Sequence, residues 1–340
     1  MKSRTRALVV GGILVATVLV CYYSVVHFQW DNLGSQSNQY PISKNSLNDT
    51  IPDKDQQIRA ITDIAQKEGV SAAYQYLKAG WDKKPLQAHD LAHLIGHLAY
   101  EQLHVGGIAL CDTDFAFGCY HGFFEAMLKD QGESGIEVAR HACIALSGEV
   151  SIQACLHGMG HGIMASKDSI PDSLARCSSF PSDERFSCFD GVFMEYNMGI
   201  MNEQQATVTP TLSDPWNFCE TILSEAQPAC IRNQTTYLLA THVIPQTSTI
   251  HACAALSGDE KKMCVNSIGA FAGDRRNESA DDIKNFCGTL TDNGDYSYCV
   301  YSAISEMSFQ SHDDHLAVMK ELCSELGEQW KVRCDKLISL

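Results

Sequence analysis

The sequence is short of positive charge: 25 lysines and arginines stand against 41 aspartates and glutamates, giving a formal net charge of −16 over 340 residues. Phosphate binding needs clustered Lys and Arg, so this balance argues against nucleic acid as a partner. The chain has no P-loop, no G-x-G-x-x-G fingerprint and no Ser–His–Asp pattern, so nucleotide and serine-nucleophile chemistries find no support. It has 15 cysteines but no C-x-x-C spacing, which argues against thiolate-held zinc. Period-two alternation of apolar and polar residues is scarce; apolar residues recur at three- and four-residue intervals instead, which predicts an all-α protein.

One long apolar run is present. Lys2, Arg4 and Arg6 precede an uncharged stretch at residues 7–26. Its 20 residues match the roughly 20 needed to span a bilayer as a helix. The flanking charge predicts a cytoplasmic residue 1–6 tail and an exported remainder. No small-x-small cleavage site follows, so the reading is an uncleaved, single-pass signal-anchor in the cell membrane. Residues 27–52 are polar and rich in Ser and Asn, and predict a flexible stalk. Asn48, Asn233 and Asn277 head N-x-Ser/Thr sequons.

The extracytoplasmic body, residues 53–340, holds 14 cysteines in seven close couples: 111/119, 143/155, 177/188, 219/230, 253/264, 287/299 and 323/334. An exported compartment favours disulfides, and pairing within each couple is the shortest connectivity. The first members step by 32, 34, 42, 34, 34 and 36 residues, a period typical of helical hairpin arrays. The octet His141-Ala-Cys143-Ile-Ala-Leu-Ser-Gly148 returns as His251-Ala-Cys253-Ala-Ala-Leu-Ser-Gly258, seven of eight positions agreeing. Each unit reads as a helix ending near its first Cys, a short loop, and a second helix starting near the second Cys. Three more helices are predicted ahead of the array, at about 55–67, 70–79 and 85–104.

In layout this resembles the disulfide-bridged αα-hairpin solenoids of the Sel1-like, Helicobacter cysteine-rich protein kind, over roughly residues 105–340. The resemblance implies a right-handed solenoid with one disulfide per hairpin. Only the Cys111/Cys119 gap of 7 fits that family's spacing, so no functional residue carries over.

The candidate chemistry lies in residues 85–200. Two positions after the second Cys of the first three units stand His121, His157 and Asp190; a turn or so later stand Glu125, His161 and Glu195. Later units carry Arg232, Asn266 and Tyr301 at the first of these positions. Equivalent positions of stacked repeats share a face, so three helices aim ligand-type side chains into one groove. The preceding helix adds His89, His93 and His97 at i, i+4 and i+8, a spacing that lets neighbouring imidazoles share an ion. Asp90 is a candidate acceptor orienting one of them. Gly122, Gly158, Gly160, Gly162 and Gly191 fall inside predicted helices, where each costs about 1 kcal/mol; close backbone approach is the expected compensation.

Singly, each histidine reads as a packed core residue, and the glycines as packing alone. Their clustering predicts a buried His/carboxylate site for zinc, copper or iron, with one or two ions. Glu125 or Glu195 is the candidate general base of a hydrolase or oxidase. The rival expectation is a non-catalytic scaffold that presents a concave face to a protein or glycan. His104, His141, His242, His251, His312 and His315 are expected to be structural or exposed.

Overall fold

The protein is described by a computed structural model covering residues 54–338, except 82–87, 168, 202–210, 212, 275–278 and 311. The predicted membrane span and stalk lie outside these residues. Among the described residues, no helix is long and apolar enough to cross a membrane.

Fifteen α-helices form among the described residues: α1 (Lys54–Glu68), α2 (Val70–Trp81), α3 (His89–Leu103), α4 (Gly118–Gln131), α5 (Ser134–Ile144), α6 (Glu149–Lys167), α7 (Ile170–Ser178), α8 (Ser182–Met201), α9 (Gln227–Thr241), α10 (Gln246–Ala254), α11 (Gly258–Asp274), α12 (Ala280–Cys287), α13 (Asn293–Gln310), α14 (His312–Glu325) and α15 (Glu328–Ile338). Short and long helices differ in what they bury. Short α7 buries Ile170, Ser173, Leu174 and Cys177, one stripe at i, i+3, i+4 and i+7, and so keeps its other side in water. Long α4 buries every residue from Gly118 to Phe124, as a helix with neighbours on both sides must.

The long helices pack on one another in chain order: α3 on α4, α4 on α6, α6 on α8, α8 on α9, α9 on α11 and α11 on α13. Each of the short helices α5, α7, α10 and α12 packs on the long helix that follows it, and α14 packs on α15. Contacts between sequence neighbours are the pattern expected of stacked hairpins.

All seven cysteine couples form disulfides as the spacing predicts, with Cα–Cα distances of 5.3 to 5.8 Å. Each closes a small loop between consecutive helical segments, contributing roughly 2–4 kcal/mol in the usual range. The repeated octet now has a physical reading. Cys143 and Cys253 enter equivalent bridges. Their carbonyls accept the N–H of Leu146 and Leu256. Gly148 (φ +91°) and Gly258 (φ +59°) end the octets in the left-handed region that a side chain rarely adopts. His141 and His251 are exposed.

The helical glycines lie where backbones touch. A Cβ on Gly122 of α4 would stand 2.0 Å from the His93 carbonyl oxygen on α3. One on Gly191 of α8 would stand 1.9 Å from the His157 oxygen on α6. Side chains there would push apart the helices that carry the histidines.

Candidate metal centre

Three consecutive long helices bring five imidazoles together. His89 and His93 come from α3, His121 from α4, and His157 and His161 from α6. Their ligand nitrogens form two groups in which every nitrogen lies within 4.8 Å of the others: His89·His93·His121 and His121·His157·His161. The second group is wholly buried, while His89 and His93 are half-buried.

Tautomers follow from the outer partners. His157 Nδ1 lies 3.0 Å from Asp190 Oδ2, and His161 Nδ1 lies 2.9 Å from Glu195 Oε2. An ionised carboxylate only accepts, so each Nδ1 donates outward and each Nε2 is turned toward the cluster. Those two Nε2 atoms face each other at 3.1 Å. Burial, with the neighbouring His157, holds His161 well below the usual histidine range, so the ring is neutral and gives no second proton to fill the gap. Two imidazole nitrogens at this separation need a proton or a metal ion between them. With metal–nitrogen bonds of about 2.0–2.1 Å, adjacent ligand nitrogens stand about 2.9–3.4 Å apart, which matches.

The first pair is built alike. His89 Nδ1 donates to the Phe115 carbonyl oxygen at 2.8 Å, and its Nε2 stands 3.1 Å from His93 Nε2. Burial, and then His89, push His93 down to about 3. Phe115 sits in an unusual turn: Phe115, Ala116 and Phe117 all have φ between +51° and +64°. Three such residues in succession cost roughly 1–2 kcal/mol each. The Cys111–Cys119 disulfide closes the loop that contains them, and the turn aims the Phe115 carbonyl at the cluster.

His121 stands between the pairs. Both of its ring nitrogens are buried without a hydrogen-bond partner, at a cost of roughly 1–3 kcal/mol for each unsatisfied group. Burial and the surrounding imidazoles lower its basicity strongly.

Asp190 is a buried carboxylate that accepts from several donors. Asn233 Nδ2 donates to Oδ1 at 2.8 Å, and the Arg232 guanidinium pairs with Oδ2. Burial raises its pKa, but Arg232 and the bonds from His157 and Asn233 outweigh that and hold it below the usual carboxylate range. Burial raises Glu195. Asp190 and Glu195 each hold one imidazole by its far nitrogen, which fixes the direction of its ring.

Three predicted residues, His97, Glu125 and Asp90, stand apart from the cluster. His97 Nε2 pairs with Glu125 Oε2 at 3.1 Å, and Glu125 is exposed. Asp90 pairs with Lys54 at the surface, so the Phe115 carbonyl takes the orienting role expected of it. Asn233 is buried against Asp190, which excludes the side chain as a glycan acceptor; Asn48 and Asn277 lie outside the described residues. His104 and His242 are exposed. Arg232, Asn233 and the Phe115 carbonyl are the site groups that sequence reasoning missed. Arg232 was within reach, because it occupies the same register position as His121, His157 and Asp190.

A cleft of about 780 Å³ opens beside the cluster. His89, His121 and His157 line it, together with Phe117, Phe186 and Arg232. His93, His161, Glu125 and Glu195 are not among its lining residues; Asp183 and Glu306 are. The histidine cluster thus shows one face to an open space. No known protein family, curated protein or solved structure matches this chain, so its function is read from this geometry.

Proposed function

We propose that this protein is an extracytoplasmic metalloprotein whose buried triad His121, His157 and His161 binds a first-row transition ion. The single observation that carries the reading is the convergence of the buried His121, His157 and His161 ring nitrogens within 4.8 Å of one another, with the opposed Nε2 atoms of His157 and His161 3.1 Å apart and each ring held by a carboxylate on its far nitrogen. An all-imidazole donor set suits zinc, copper or iron, and with both carboxylates in the outer shell nothing displaces copper from that choice.

The ion would supply Lewis acidity toward a molecule in the cleft, supporting a hydrolase with zinc or an oxidase with copper or iron. The chain's own residues supply the rest. Asp190 and Glu195 hold ring directions, Phe117 and Phe186 give the cleft an apolar wall, and Arg232, Asp183 and Glu306 give it polar groups. The same proposal includes the anchor at residues 7–26 holding the body outside the cytoplasm, and a right-handed winding of the hairpins. Seven disulfides support the oxidising compartment, and the chain-ordered contacts support the stack.

Elemental analysis of the full-length chain, made in an oxidising host, tests this beside a His121→Ala/His157→Ala variant. At least one equivalent of zinc, copper or iron is expected, lost in the variant with helicity unchanged by circular dichroism. No bound metal after reconstitution with all three ions would overturn the reading and leave the scaffold for a protein or glycan partner.

A further inference from the structure

We infer that His121 bridges two metal ions, its two ring nitrogens serving one ion each: the first with His157 and His161, the second with His89 and His93. This rests on the metal reading above and extends it to a dinuclear centre.

Three observations carry it. The two candidate ligand groups share only His121. Its ring centroid lies 5.3 Å from both His89 and His93, 5.5 Å from His157 and 4.0 Å from His161, so it contacts all four. The two pairs are built to one plan, each with Nε2 atoms 3.1 Å apart and at least one Nδ1 fixed by an acceptor. Finally, both His121 nitrogens are buried without a partner. A single ion would use one of them and leave an N–H buried with no acceptor. Two ions use both.

A neutral imidazole has one lone pair and one N–H. Bonding both nitrogens to metal therefore forms two metal–nitrogen bonds and breaks one N–H bond. One proton leaves to solvent through the cleft that His121 lines. Two cations replace that proton's charge, which removes the penalty for an imidazolate in a buried site. The shared ligand sits on α4, the middle helix of the three, and Gly122 beside it lets α3 approach.

Copper(II) is the probe, since nitrogen sites bind it more tightly than other first-row divalent ions. Metal-stripped full-length protein is titrated and followed by electron paramagnetic resonance, with proton release recorded in parallel. The signal is expected to rise through the first equivalent and fall through the second, as two spins couple across the imidazolate. One additional proton should be released with the second ion. A His89→Ala/His93→Ala variant should stop at one equivalent with full, uncoupled signal. Saturation of the natural chain at one equivalent, or a second equivalent that adds undiminished signal, would overturn the bridge while the single-ion reading stands. Failure to bind any copper would overturn both.

Discussion

Asp190 links the two halves of the helix stack: its Oδ2 lies 3.0 Å from His157 Nδ1 on α6 and pairs with the Arg232 guanidinium on α9. A candidate ligand is thus oriented by an acid whose charge is balanced from the repeat beyond it. Asp190→Asn keeps the shape but removes the charge. It should weaken metal affinity about 10- to 100-fold, measured by competition with a chelator of known strength. Unchanged affinity would reduce Asp190 to a structural partner of Arg232.

Glu125→Gln and His97→Ala are expected to leave metal stoichiometry unchanged, because that pair lies outside both imidazole groups. As a surface pair it should contribute about 0–1 kcal/mol to stability. Elemental analysis and thermal melting check both points, and loss of an equivalent in either variant would return Glu125 to the ligand set.

Gly191→Ala should separate α6 from α8, since its Cβ would stand 1.9 Å from the His157 carbonyl oxygen. Overpacking of this kind costs typically 1–3 kcal/mol, and here it also displaces His157. A lower Tm and weakened metal binding are expected together. Gly327→Ala is the control, with nothing within 4 Å of the new Cβ; equal effects from the two would refute the close-approach argument.

Metal-stripped protein should lose stability in acid. His93, His121 and His161 all have folded-state pKa values below the usual histidine value, chiefly through burial. Below about pH 6.5 the unfolded chain binds protons that the folded chain refuses, so stability falls as pH falls, for His93 down to about 3. Each group contributes at most about 1.4 kcal/mol per pH unit. Asp190 adds to the loss only lower, once pH drops below the unfolded carboxylate range near 4. A Tm roughly 5 °C or more lower at pH 5 than at pH 7 is expected; a flat profile would show that the imidazoles are not held neutral.

What the chain determined by itself is local. The cysteine spacing set out seven close couples, and of the connectivities it leaves open the fold adopts the shortest. The 3.6-residue period placed the helices, and the i, i+4 spacing of His89 with His93 and of His157 with His161 set each pair on one helix face. Only the tertiary structure decided which side chains meet. Glu125 is four residues past His121, as His161 is past His157, yet the neighbour it meets on the adjoining helix is His97, outside the buried rings. Asp190 shares the ligand register, but Arg232 arrives from the following repeat and makes it an orienting anion. The Phe115 carbonyl turns toward His89 through a left-handed turn that no propensity favours and that the surrounding disulfide and core packing maintain. Local rules act over one or two helical turns, whereas convergence at His121 depends on distances between separate helices, and those were set where glycine let backbones touch.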